Sequence, residues 1–109
     1  MEEVLAELQV EIALFPGVGP RQLCYRPNHK HPTTGEFFLG QVAFVGDRAE
    51  PGECTRATVR VLLLAAPLES LLAFGSWTIW EGPTHVGSAR IIGMGSNNSS
   101  KPTPLRGAA

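Results

Sequence analysis

The chain has 109 residues, enough for one domain and little more. A hydrophobic share of 43% supports a core, near the low end for a fold without extra staples. Nine basic and ten acidic side chains leave a formal net charge of −1, which argues against a dedicated nucleic-acid binder, because such affinity comes mainly from neutralised phosphates.

The start, Met1-Glu2-Glu3-Val4, has no basic region followed by an apolar stretch, so no secretory signal is read. The longest apolar run, Val61 to Pro67, is too short to span a bilayer. The expectation is a cytoplasmic protein with no membrane or nucleotide partner. Its two cysteines, Cys24 and Cys54, are then read as free thiols in preference to a disulfide.

Residues Met1 to Ala6 read equally as a frayed helical turn or as the run-in to a strand. From Glu7 the pattern alternates: Leu8, Val10, Ile12 and Leu14 share one face, and Glu7, Gln9 and Glu11 the other. That is a half-buried strand, closed by Phe15-Pro16-Gly17. Gln22-Leu23-Cys24-Tyr25 is a short candidate strand. The polar, proline-bracketed stretch from Arg26 to Gly35 is expected to be an exposed loop.

Phe37 to Val45 is a strong strand. Gly40 within it marks a bulge or a close backbone approach. Glu50-Pro51-Gly52-Glu53 is a turn. Thr55 to Leu64 alternates again, with Ala57, Val59, Val61 and Leu63 inward, and Ala65-Ala66-Pro67 stops it. Leu68 to Ala73 reads as a short link of about one helical turn.

The stretch from Phe74 to Ile92 has the pattern of an antiparallel hairpin around the turn Glu81-Gly82-Pro83-Thr84. Trp77 and Ile79 share a face and point to a core, while Thr78 and Trp80 point away. Residues 95–109 have the composition of a disordered polar tail after a single domain over residues 1–94. Regular strands with turns between them indicate an all-β sandwich or barrel, and the closing hairpin favours a small all-β barrel.

Taken together, Tyr25 to Met94 resembles the C-terminal β-barrel domain, the third domain, of bacterial elongation factor Tu. Tyr25-Arg26-Pro27 looks like the Gly-Tyr-Arg-Pro segment of that family, with Cys24 where the family has glycine. Pro51-Gly52-Glu53 is similar to its Pro-Gly-Asp turn, and Val59 to Pro67 to the apolar strand that follows it. The hairpin is similar to the family's Phe-Ala-Ile-Arg-Glu-Gly-Gly-Arg-Thr-Val-Gly, with Trp77, Ile79, Glu81, Gly82, Val86 and Gly87 at matching positions.

The resemblance implies an all-β fold, a single closed antiparallel Greek-key barrel of about six strands, which in the family helps to grip the acceptor and T arms of aminoacyl-tRNA. The family's turn is basic, whereas Trp80 and Thr84 replace its arginines here and Pro83 its second glycine. The chain also has no Gly-rich phosphate loop ending in Lys-Ser/Thr. For RNA contact the candidates are Tyr25, Arg26, Lys30, Glu81 and Gly82. Tyr25 would offer a stacking surface beside the locally basic Arg21, Arg26 and Lys30.

No residue constellation points to catalysis. Cys24 or Cys54 with His29 or His85 would need a cation or helix end to lower a thiol pKa, and small half-buried thiols are the preferred reading. His29 and His31 form a lone His-x-His pair without the paired spacing of zinc ligands, so no metal or other cofactor is expected. The expected activity is a non-catalytic protein-binding module, self-association included, through Leu68, Leu71, Leu72 and the outward Trp80. RNA or tRNA binding is the alternative.

Overall fold

The computed structural model describes residues 2–22 and 25–94. Cys24 and the tail expected over residues 95–109 lie outside them. Strand β1 (Glu3–Leu14) buries Ala6, Leu8, Val10, Ile12 and Leu14 in strict alternation, and it begins earlier than the sequence pattern indicated. Residues Glu3 to Ala6 are strand rather than a helical turn.

After β1 come β2 (Arg21–Gln22), β3 (Asn28–Lys30), β4 (Phe37–Phe44), β5 (Arg48–Ala49), β6 (Cys54–Leu64), helix α1 (Ala65–Phe74), β7 (Ser76–Glu81) and β8 (Thr84–Met94). Six of the strands close into an antiparallel barrel in the order β1-β6-β4-β3-β7-β8, with β8 pairing back onto β1. The next barrel strand after β3, β4 and β6 is β7, which returns beside β3, the Greek-key connection. β2 and β5 form a separate two-stranded ribbon. The fold is therefore a closed six-stranded Greek-key barrel, in agreement with the expected all-β barrel.

Inward side chains of every barrel strand fill its interior, which in so narrow a barrel leaves no channel. Trp77 and Ile79 of the hairpin lie in that core, and Trp80 lies half-buried on the outside, as the alternation requires. The hairpin ladder shifts register between Ile79 and Trp80, and the β1–β8 ladder between Gln9 and Val10. Such irregularities add the twist a barrel needs to close.

Two expectations are corrected. The stretch from Arg26 to Gly35 is not an exposed loop throughout: Asn28–Lys30 is β3, pairing with β4 on one side and β7 on the other. His29 and His31, two residues apart, point inward and are 0% and 2% exposed. The polarity of the segment hid a strand whose inward residue is a histidine, His29, rather than an aliphatic.

The link after β6 is also longer than one turn. Helix α1 runs from Ala65 through Phe74, built from good helix formers, and Pro67 sits in its first turn, where a missing N–H costs nothing. Gly75 ends it at φ 90°, donating its N–H to the Leu71 carbonyl. The helix lies against β1, β6 and β7. Leu71 is fully buried and Leu68 and Leu72 pack against the core, so Leu71 offers nothing to a partner.

Candidate functional site

Of the residues singled out for RNA contact, Tyr25 and Glu81 meet in one network. Arg21 on β2 grips the Glu81 carboxylate with two N–H groups, both at 2.7 Å, and the Tyr25 hydroxyl donates to the same carboxylate at 2.6 Å. The Arg21 hydrogen bond holds the Glu81 carboxyl below the usual carboxylate range, against the opposing effect of partial burial. Burial first, and then the bond to Glu81, raises the Tyr25 phenol well above its ordinary value. These three side chains fasten the β2–β5 ribbon to the end of the β7–β8 hairpin. Arg26 and Gly82 are exposed nearby in the chain.

The histidines weighed as metal ligands or bases are hydrogen-bonded within the fold. The Trp77 indole, a donor only, gives its N–H to His29 Nδ1 at 2.9 Å, which leaves the His29 proton on Nε2, facing the Gly40 carbonyl at 3.2 Å. His31 Nδ1 accepts from the backbone N–H groups of Thr33 and Thr34, so its Nε2 donates to the Pro67 carbonyl at 2.8 Å. His31 thereby ties the β3–β4 loop to α1. Among the described residues no group of three or more His, Cys, Asp or Glu is placed to hold a metal ion. Cys54 is an exposed free thiol at the start of β6.

On the outer wall Trp80 is flanked by His85, Lys30 and Phe37. Its ring stacks on His85 at 4.9 Å between centroids, and the Lys30 ammonium lies over it at 5.1 Å. The same ammonium is 6.0 Å from the Phe37 ring, which meets Trp80 edge-on at 6.4 Å. Lys30 is thus held between two rings on the outside of the barrel.

Sequence reasoning missed the apolar surface that continues from there. On the outer face of β4, Phe37 is 54% and Leu39 70% exposed. Leu39 is paired across the ladder with Leu62 of β6, and Leu62 with Leu5 of β1, itself 52% exposed. A row of outward leucines therefore crosses three adjacent strands and continues through Phe37 to Trp80. Contiguous exposed apolar surface of this kind is costly in water and marks contact faces.

Two hollows flank the Leu39–Leu62 ridge, and both include those leucines. The first, of about 270 Å³, has Glu3 and Glu36 as its charged lining residues. The second, of about 390 Å³, has Arg26 and Arg60. The ridge thus separates an acidic hollow from a basic one.

Of the residues expected at a protein interface, Leu71 is buried, Leu68 and Leu72 are partly buried against the barrel's core, and Trp80 lies half-buried on the outer wall. Trp80 joins Phe37 and the leucine row. Among the described residues no helix is long and apolar enough to cross a membrane. No family model matches this chain, and no curated protein matches it.

Proposed function

We propose that this chain is a protein-docking module without chemistry of its own, and that its contact face is the outer row Leu5, Leu62, Leu39 and Phe37 with Trp80 at its end. The observation that carries the proposal is the exposure of Leu39, at 70%, at the β4 end of a cross-strand leucine ladder. Water is a poor solvent for such a row, and a partner's apolar side chains would relieve it. The flat outer wall of a barrel suits docking better than catalysis, which calls for an enclosed cleft. Descent from the third domain of elongation factor Tu, working in the cytoplasm, fits this reading, supported by the closed Greek-key barrel and the Glu81-Gly82 turn. RNA binding has less support, because Tyr25 and Glu81 already bond each other and Arg21.

The test is photocrosslinking in cells with p-benzoylphenylalanine in place of Leu39, and in place of the exposed Ser88 on β8 as control. Barrel order puts β8 across from β4. Discrete protein adducts from position 39 but not from position 88 are expected. Equal or absent labelling at the two positions would remove the proposal.

A further inference from the structure

We infer that the partner on this face is a second copy of the same chain, docked about a two-fold axis through the Leu39–Leu62 ridge. The inference deepens the docking proposal and rests on it. A two-fold contact brings each patch against itself, so the patch must be its own complement. This one is. Its centre is apolar and outward, with Leu39 paired to Leu62. On one side lies the hollow carrying Glu3 and Glu36, and on the other the hollow carrying Arg26 and Arg60.

Rotation by half a turn about the ridge sets the acidic hollow of each copy over the basic hollow of the other. The two leucine rows then meet in the middle, away from water, with the charges forming a polar rim. Opposite charges on opposite sides of an apolar centre are what self-association about such an axis requires. Glu7 stands opposite Arg60 in the β1–β6 ladder and offsets part of its charge, so Arg26 is essential to the basic side. The chain's formal net charge of −1 puts little overall repulsion between two copies.

The experiment is light scattering after size exclusion, over a wide concentration range, on the intact chain and three variants. The wild type is expected to shift from one-chain to two-chain mass as concentration rises, and to do so more readily at low salt. Leu39→Glu should raise the dissociation constant by about a hundredfold or more, with unchanged far-ultraviolet dichroism because the position is exposed.

Glu3→Lys/Glu36→Lys and Arg26→Glu/Arg60→Glu should each be monomeric alone. Mixed, they should form a one-to-one heterodimer, since each then offers the side that the other lacks. A wild type that keeps one-chain mass at every concentration overturns the inference, as does a dimer indifferent to Leu39→Glu or a mixture of folded reversal variants that stays monomeric. If the reversal variants fail to fold, Leu39→Glu decides alone. An adduct from position 39 with a different protein, together with a monomeric wild type, would preserve the docking proposal and remove the dimer.

Discussion

The indole N–H of Trp77 reaches Nδ1 of His29 at 2.9 Å inside the barrel, joining β7 to β3 through side chains as well as backbone. His29 also lies parallel to the Phe38 ring at 5.2 Å, and Phe38 meets Trp77 edge-on at 5.7 Å. The short strand β3 therefore contributes a polar side chain to an otherwise greasy interior, and both ring nitrogens have partners. Removing either partner would leave a buried polar group unsatisfied, at a cost of about 1–3 kcal/mol.

That burial makes the fold sensitive to acid. Desolvation lowers the His29 pKa from 6.5 to about 4, partly offset by the Gly40 carbonyl. Between those values the unfolded chain binds a proton that the native chain excludes, so stability falls as pH drops from 6.5 towards 4 and is unaffected by this group above 6.5. The full loss is about 3 kcal/mol. Urea unfolding at a series of pH values should show this slope, and His29→Gln, though less stable at neutral pH, should flatten it. Equal slopes in the two proteins would show that other groups carry the effect. Glu81 acts in the same direction but through the lower carboxylate range.

Gly40 is the position where the barrel wall leaves room for that imidazole. A Cβ built on it would lie 2.6 Å from His29 Nε2 and 2.7 Å from Cδ2, well inside contact distance. Gly40→Ala should therefore cost about 1–3 kcal/mol, the usual range for overpacking a core. Gly93→Ala is the matched control, since its Cβ would meet only Gln9 Cβ at 3.8 Å. Adding His29→Ser to Gly40→Ala should recover part of the packing loss, so the two substitutions should be non-additive in a thermal melt. Equal destabilisation by both glycine replacements would contradict this account.

The glycine in the middle of β4 and the alternation of β1, β6 and β7 were legible in the sequence because inward positions there are apolar and outward ones mostly polar. β3 was not legible, since its inward residue is His29, and helix α1 was obscured because Ala65-Ala66-Pro67, which does end β6, also forms the helix's first turn. The contact face left a trace of another kind. Val4-Leu5-Ala6, Phe37-Phe38-Leu39 and Val61 to Leu64 are among the places where alternation fails and both faces of a strand are apolar. Read strand by strand these are merely strong strands. Only the register, which sets Leu5 beside Leu62 and Leu62 beside Leu39, turns three local exceptions into one surface.

Helix α1 should depend on one side chain. Leu71 is 0% exposed, while Leu68 and Leu72 are only partly covered, and the helix has no side-chain cap at its start. Leu71→Ala should cost about 2–5 kcal/mol, against about 1 kcal/mol for Leu68→Ala. Because His31 bonds the Pro67 carbonyl, loosening the helix should also expose the loop between β3 and β4. Hydrogen exchange should then quicken together in residues 65–74 and 31–36 of Leu71→Ala. Quickening confined to the helix would mean that the His31 bond does not couple the two segments.

Tyr25 is the sole tyrosine of the chain, which makes its ionisation directly visible in the ultraviolet. Burial, and then the bond to the Glu81 carboxylate, raises its pKa well above the ordinary 10.0. Ionising the phenol in place would strand a second negative charge beside Glu81, with Arg21 the only cation in the network to offset it. A phenol pKa that is higher folded than unfolded means that the native state holds its proton longer, so stability is full below pH 10 and declines above it. The absorbance of phenolate near 295 nm should therefore rise in step with loss of the circular dichroism signal, not ahead of it. Glu81→Gln removes the neighbouring negative charge but not the burial, so phenolate should form at lower pH than in the wild type. A wild-type phenol titrating at its ordinary pH with the barrel still folded would mean that Glu81 and Tyr25 are not bonded in solution, and the network fastening ribbon to hairpin would lose one of its three members.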